Sequence, residues 1–163
     1  MPRRQSNLPL PYRVFFLIIE PISALIGAYY ALVLQSEYLA MTDSSSLSSS
    51  FSSDLPIPLG TSIILSQLGN LYLLFALNEA LVLRSTGDLK VWRTVLFVLF
   101  IADLGHLYSV GGHGRSWVYW DVRRYSAIDW GNVPFVYLGA SMRLAFLCGV
   151  GMGGDGEGKS KSG

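Results

Sequence analysis

Five ionisable residues lie inside long apolar stretches of this sequence, and their types and spacing could support chemistry: Glu20, Glu79, Asp103, His106 and Arg143. A charged side chain at the centre of a membrane-spanning helix costs roughly 2.5–3.5 kcal/mol, so each should face the interior of a helix bundle and find a partner. Glu20 shares a helix face with small residues that let helices approach closely, namely Ser23, Ala24, Gly27 and Ala31. Arg143 shares its face with Gly139 and Ala140. Both charges are therefore predicted on packing faces.

Three of these charges are predicted to occupy one layer of the bundle. Counted from the near ends of their helices, Glu20, Glu79 and Arg143 lie at depths of about 7–12 Å, at 1.5 Å per residue. A guanidinium can offer two parallel hydrogen bonds to one carboxylate. If Arg143 pairs with only one of the two acids, the other should be protonated, because an unpaired buried charge is costly. A protonated carboxyl at this depth is the state that a membrane-embedded general acid requires.

A second group is predicted nearer the opposite membrane face. Asp103 and His106 are three residues apart, which places them on one face of the third helix, and they are the favoured acid–base pair. Glu20 and Glu79 are the further catalytic candidates, and Arg143 would fix their ionisation. The loop that follows the third helix is rich in aromatic residues and could form a lid over a cavity between the helices. The substrate-binding candidates are Asn78, Tyr108, Trp120, Asp121, Asp129, Trp130 and Arg143.

Purely structural roles remain open for all of these residues, because intramembrane acid–arginine pairs often only hold a bundle together. The sequence contains no ligand spacing typical of a metal site, no phosphate-binding loop, no dinucleotide fingerprint and no nucleophile elbow, so neither a metal nor a cofactor is predicted. The net charge of +1 gives no reason to expect a nucleic-acid partner. The single cysteine, Cys148, excludes an intramolecular disulfide.

Four apolar stretches are long enough to carry these residues across a bilayer, which takes about 20 residues. They cover 12–34, 60–83, 91–110 and 130–151, in a chain whose charged fraction is only 14%. The first is predicted to be retained, because it is longer than the roughly 7–15 apolar residues of a signal peptide and Glu20-Pro21 interrupts it. The predicted fold is an all-α polytopic membrane protein. A cytoplasmic segment 1–11 precedes a four-transmembrane-helix bundle over 12–151, which contains a flexible serine-rich loop at 42–55, and a disordered Gly/Ser/Lys tail covers 152–163.

The distribution of lysine and arginine predicts that both termini face the cytoplasm. Of the twelve basic residues, eight lie in the N-terminal segment, the second loop and the tail, whereas the first loop has none. The third loop is the exception, with Arg115, Arg123 and Arg124. Lys159 and Lys161 are spaced like the dilysine retrieval signal of endoplasmic-reticulum membrane proteins, which predicts residence in that membrane. An ordinary soluble tail is the alternative.

Five short stretches together resemble a family of small fungal integral membrane proteins that carry a domain of unknown function. They are LPLPYR at 8–13, IEPISA at 19–24, ALNEAL at 76–81, ADLGHLY at 102–108 and AIDWGN at 127–132. The resemblance implies a four-helix membrane domain from a filamentous fungus and no established activity. In size and intramembrane carboxylates alone, the chain is also similar to the emopamil-binding-protein superfamily and to fungal membrane terpene cyclases. No motif of either matches, and no catalytic residue is carried over.

The favoured function is a membrane-embedded acid–base enzyme of the isomerase or cyclase type, acting on a lipophilic isoprenoid, sterol or polyketide-like molecule in fungal metabolism. A non-catalytic scaffold or assembly subunit is the alternative, and a transporter is a third class, which would have to oligomerise to form a continuous polar path. The expected partners are the lipid bilayer, such a small molecule and a second copy of the chain, docked through small-residue helix faces.

Overall fold

The computed structural model describes residues 8–42, 56–112 and 115–152, and throughout these ranges the chain forms helices joined by turns. The helices are α1 (Leu10–Leu32), α2 (Gln35–Thr42), α3 (Leu59–Ser85), α4 (Leu89–Val110) and α5 (127–147). The all-α prediction is confirmed, since these ranges contain no strand. Most of the serine-rich loop and nearly all of the tail fall outside the described residues. The segment after α1, which the sequence indicates as a loop, instead begins with the short helix α2.

Three of the helices, α1, α3 and α4, are long and apolar enough to cross a membrane. Their outer faces expose large apolar side chains, including Ile22, Ile64 and Val98. Water would disfavour so much apolar surface, whereas lipid tails do not. The three helices match the first three predicted spans to within two residues. The chain is therefore a helical membrane protein with three candidate spans.

The fourth predicted span, 130–151, corresponds to α5, which begins at residue 127 and ends at residue 147. Its apolar character is interrupted by Asn132, Pro134 and Arg143. The helix stops earlier than expected because Gly149 and Gly151 have φ angles of +77° and +71°, the left-handed conformation that terminates helices.

A π-helical turn occurs in α1 at Phe15–Ile19, in α3 at Asn78–Val82 and in α5 at Gly131–Phe135. The turn in α1 is followed by Pro21, which has no N–H to donate to the carbonyl of Leu17 one turn earlier. Arg84, near the end of α3, supplies a donor instead, with its Nη2 2.7 Å from the Leu17 oxygen. A backbone carbonyl freed inside a membrane helix needs such a replacement, so this contact joins α1 to the end of α3.

The long helices pack as two neighbouring pairs, α1 with α3 and α4 with α5. At one end, which we call the terminal end, all four contribute to a single apolar cluster: Leu8, Tyr12, Phe15, Phe16, Leu17, Leu83, Trp92, Leu96 and Phe146. There the hydroxyl of Tyr12 donates to the carbonyl of Val150 at 2.8 Å. The start of α1 and the residues after α5 therefore lie at the same end of the bundle.

The opposite end, which we call the loop end, holds two smaller apolar clusters. One packs α1 and α3 against α2 through Ala31, Leu65 and Tyr38. The other joins α4 and α5 to the turn Ser116–Tyr119 through Leu107, Val133 and Val118. Between the two ends lie the buried residues Glu20, Glu79, Asp103 and Arg143.

Candidate functional site

A single arginine on α5 contacts carboxyl groups from the three other long helices. Nη1 of Arg143 donates to Oδ2 of Asp103 at 2.7 Å, and Nη2 donates to Oε1 of Glu79 at 2.9 Å. Oε1 of Glu20 lies 2.8 Å from the same Nη2, as an ion pair rather than as a directed hydrogen bond. We call these four residues the Arg143 cluster. Every long helix contributes one residue to it.

The irregular turns place two of the three carboxyls. Glu20 directly follows the π-helical turn of α1, and Glu79 lies within that of α3. A π-helical turn inserts one residue into the helical repeat, which rotates the following side chains relative to a regular helix, and such turns recur at functional sites. The Phe15–Ile19 and Asn78–Val82 turns pack against one another, which brings Glu20 and Glu79 to the same nitrogen of Arg143.

Gly139, one helical turn before Arg143, leaves the room that the cluster occupies. A Cβ atom at this position would lie 2.8 Å from Nη1 of Arg143 and 2.9 Å from Oε1 of Glu20. Real Cβ contacts are not this short, so a side chain here would have to displace the Glu20–Arg143 pair. Gly139 is therefore part of the site through its lack of a side chain.

The cluster is enclosed, and its guanidinium lies between aromatic rings. The Cζ atom of Arg143 is 5.6 Å from the ring centroid of Phe16 and 5.2 Å from that of Phe75, within the range of cation–π attraction. The side chains of Arg143 and Glu79 have no exposed surface, and Glu20 and Asp103 retain only 6% and 8%. Because the cluster is buried, solvent does not screen the charges of its side chains.

The cluster has more acid than base. Three carboxyls face one guanidinium, so complete ionisation would leave a net charge of −2 in a buried site. Oε2 of Glu20, Oε2 of Glu79 and Nε of Arg143 are buried and have no hydrogen-bond partner within the described ranges. Buried charges are normally both paired and hydrogen-bonded. Ionisation of all three carboxyls together is therefore disfavoured.

The sequence-based grouping of these residues was correct in one respect and wrong in another. The predicted layer of Glu20, Glu79 and Arg143 is confirmed by their contacts. Asp103, predicted in a separate and deeper group with His106, instead pairs with Arg143. The pairing was missed because Asp103 and Arg143 are 40 residues apart in the chain, and the two terminal nitrogens of Arg143 reach carboxyls from different helices.

His106 lies one turn beyond Asp103 and is half-buried. Its ring is hydrogen-bonded to the backbone of Asn132 on α5, and its Nε2 has no partner among the described residues. His106 is thus adjacent to the Arg143 cluster along α4 but outside its network of contacts. Asn78, another sequence candidate, is half-buried and directs its amide to the carbonyl of Leu74 on its own helix, at 3.0 Å.

At the loop end, Asp129 belongs to a second acid–arginine pair. Its Oδ1 lies 2.7 Å from Nη2 of Arg115, whose Nη1 donates to the carbonyl of Thr42 at 3.0 Å. Its Oδ2 accepts hydrogen bonds from the backbone N–H and the hydroxyl of Ser126, at 2.9 and 3.0 Å. We call Arg115 and Asp129 the rim pair. Both oxygens of Asp129 have protein partners, and the reciprocal bonds with Ser126 cap the start of α5.

The other substrate-binding candidates from the sequence lie on the surface of the loop end. The side chains of Tyr108, Trp120 and Trp130 are exposed, and Asp121 is half-buried. Tyr108 lines an open depression of about 610 Å³ together with Ser109, Gly111, Gly112 and Tyr119. These residues lie at the loop end and are not among the contacts of the Arg143 cluster. The structure therefore separates the candidates into a buried acid site and an aromatic rim.

Sequence reasoning missed several residues that shape these sites. Ser126 could have been found, because Ser-x-x-Asp before an apolar helix is a recognisable capping signature. Arg115 was noted only as a basic loop residue, and Phe16 and Phe75 only as apolar positions in spans. No local signal identifies their contacts, since the partners are 14 or more residues away in the chain.

This is a helical membrane protein with an acid-rich buried centre. Residues 5–153 match the model of the family described as a domain of unknown function, DUF7704, and the chain belongs to that family. No curated protein and no solved structure matches the chain.

Proposed function

We propose that α5 crosses the membrane with the other three long helices, giving four spans with the terminal end and both termini on the cytoplasmic side. The contact between Tyr12 and Val150 supports this arrangement, because it holds the start of α1 and the exit from α5 at one end of the bundle. A chain that enters and leaves the bundle at the same end crosses the membrane an even number of times. The excess of basic residues flanking the terminal end favours the cytoplasm for that side.

The basic third loop, which runs against this orientation, is largely accounted for by its contacts. Arg115 is neutralised by Asp129. The guanidinium of Arg124 lies 4.4 Å from the ring centroid of Trp117, in a cation–π contact. Two of the three arginines are thus engaged by the protein itself.

Labelling with a membrane-impermeant maleimide in sealed vesicles tests the orientation. In a Cys148→Ser background, Ser160→Cys should react from the cytoplasmic side only, and Ser48→Cys from the opposite side only. Reaction of both from the same side would overturn the four-span arrangement.

We also propose that the protein resides in the endoplasmic reticulum, on the basis of Lys159 and Lys161, which lie outside the described residues. Replacing both by Ala in a fluorescent fusion should move the protein to later compartments, whereas Lys90→Ala should not. An unchanged distribution of the double variant would exclude this signal.

The Arg143 cluster is proposed to perform acid–base chemistry on a lipophilic isoprenoid, sterol or polyketide-like molecule. The observation that supports this is the convergence of three carboxyls from three helices on one buried guanidinium. Such a site holds protons at a depth where only a lipophilic molecule would meet them. General acid–base catalysis needs a positioned group in the correct protonation state, and burial beside a fixed cation provides one.

The reaction class that fits is an isomerisation or a cyclisation. The acid gives a proton to an alkene or epoxide of the substrate, and the same site recovers a proton when the cationic product loses one. No net proton is consumed, so no co-reactant is required. After the acid has given up its proton and before it recovers one, it is a carboxylate, and the positive charge of Arg143 stabilises it.

Comparative metabolite profiling of a host that expresses the protein tests this function. Glu79→Gln keeps the shape of the side chain but removes its proton chemistry, so the protein-dependent product should fall about 10²–10⁴-fold. Glu37→Gln, an exposed glutamate on α2, is the matched control and should leave the product unchanged. Full product formation by Glu79→Gln, Glu20→Gln and Asp103→Asn alike would exclude catalysis by the cluster.

A structural or assembly role is the second candidate, and one specific observation favours it. The Arg143 cluster joins all four long helices through contacts within the protein alone. In that case the same Gln and Asn variants would disappear from the membrane rather than lose a product. The amount of protein in the membrane fraction, measured beside the metabolite profile, separates the two candidates.

A further inference from the structure

Two carboxyls of the Arg143 cluster share one nitrogen of the guanidinium. Oε1 of Glu20 and Oε1 of Glu79 lie 2.8 and 2.9 Å from Nη2 of Arg143. That nitrogen donates a hydrogen bond to Glu79, while Asp103 has Nη1 to itself at 2.7 Å. Asp103 therefore has the geometry of an ionised carboxylate paired with the guanidinium, and Glu20 and Glu79 do not each have an equivalent partner.

The two glutamate carboxyls also lie close to each other, since the Oε1 atoms of both are within 2.9 Å of Nη2 of Arg143. Two carboxylates have only acceptors to offer one another, whereas a single proton lets one carboxyl donate. Two ionised carboxyls this close would also repel one another strongly, which is why acids that share a site normally share a proton.

The surroundings of the pair offer no other charge balance. The groups that face it are Asp103 from α4 and Arg143 from α5, and the rings of Phe16 and Phe75 cover the guanidinium. Each glutamate also has a buried Oε2 with no partner elsewhere in the described structure. A proton on one of these carboxyls removes a negative charge from a buried place where Arg143 is the cation that the described residues supply.

We propose that Glu20 and Glu79 hold at least one proton between them, and that Asp103 is the ionised partner of Arg143. The pair, rather than Asp103 with His106, is then the proton donor of the site. Glu20 is the member through which the proton leaves, because its side chain keeps 6% exposure whereas Glu79 has none. Its proton goes to a substrate carbon or oxygen, and the new carboxylate lies 2.8 Å from Nη2 of Arg143, which lowers the cost of its charge.

The donor role depends on the proposed function, but the position of the proton does not, and infrared spectroscopy measures it directly. Purified protein in lipid at neutral pH should show the carbonyl stretch of a protonated carboxylic acid. Uniform ¹³C-labelling of glutamate should shift this band, and labelling of aspartate should leave it in place. This comparison uses the unmodified protein, so it does not depend on a variant that folds.

The variants then locate the proton on the two residues. The double variant Glu20→Gln/Glu79→Gln should lack the band, and Asp103→Asn should retain it. A band that follows aspartate labelling, a band that survives in the double variant, or no band in the unmodified protein would each overturn the proposal. A band assigned to the pair in a protein that makes no product would support the shared proton and reject the enzymatic role.

Discussion

The Arg143 cluster and the rim pair are both built from arginine and carboxyl groups, yet they differ in balance. In the rim pair, one guanidinium faces one carboxylate, and both oxygens of Asp129 are bonded, one to Arg115 and the other to Ser126. In the Arg143 cluster, one guanidinium faces three carboxyls, and two carboxyl oxygens have no partner among the described residues. The rim pair is balanced in charge and both carboxyl oxygens have partners, whereas the cluster has excess acid and carboxyl oxygens without partners among the described residues.

This difference indicates different roles. An ion pair that only supports a fold gains most when every buried polar atom is satisfied. The rim pair meets that condition and caps α5 at the same time. The cluster leaves buried atoms without partners among the described residues, where all four long helices meet, which is costly for a purely structural element and consistent with the proton exchange that we propose.

The largest difference between the two regions is expected in the loss of stability when the arginine of each is replaced. Arg143→Leu leaves three carboxyls without a cation, and breaking a buried ion pair typically costs about 3–5 kcal/mol. Arg115→Leu, the matched substitution in the rim pair, should cost only about 1 kcal/mol, because the Arg115 side chain is 28% exposed and solvent screens the pair. Chemical unfolding of the purified proteins in detergent measures both values.

Equal losses for the two variants would contradict the distinction between the regions. A loss below about 1 kcal/mol for Arg143→Leu would show that the carboxyls become neutral at little cost. The ionised Asp103–Arg143 pair would then contribute nothing to stability.

The next largest effect concerns the space around the cluster. Gly139→Ala should destabilise the protein by about 1–3 kcal/mol, because its Cβ would press on Arg143 and Glu20. Gly105→Ala on α4 is the control, since no atom lies within 4 Å of a Cβ there, and it should stabilise the helix by about 0.5–1 kcal/mol. The difference in Tm between the two variants is the measurement. A Gly139→Ala protein as stable as Gly105→Ala would show that the cluster can shift freely.

The sequence was sufficient to predict much of this architecture, because the bilayer imposes a strong rule. About 20 apolar residues must form a helix to satisfy their backbone, so α1, α3 and α4 could be placed to within two residues. The ends of α5 were less certain. Its stop depends on the backbone conformation of Gly149 and Gly151, and its start depends on a cap formed by Ser126 and Asp129.

The candidate site was predictable in its membership but not in its pairing. Each charged residue was identifiable because it is expensive at membrane depth. The partner of Asp103 was not, because helical spacing favours His106 on the same helix over Arg143, which is 40 residues away. The position of the Arg143 guanidinium depends on packing against Gly139 and the rings of Phe16 and Phe75. Such packing produces no periodic pattern in the sequence, so it could not be predicted.

The smallest predicted effect concerns Arg84, a third arginine, whose Nη2 donates to the backbone carbonyl of Leu17 in the π-helical turn of α1. That carbonyl needs Arg84 only because Pro21 lacks an N–H, so Pro21→Ala should make the contact redundant. Arg84→Ala should therefore cost about 0.5–1.5 kcal/mol more in the unmodified protein than in the Pro21→Ala background. Unfolding free energies of the four proteins in this double-mutant cycle give the coupling, and the other contacts of Arg84 cancel because both backgrounds share them. An equal cost in both backgrounds would mean that the Leu17 carbonyl does not depend on Arg84.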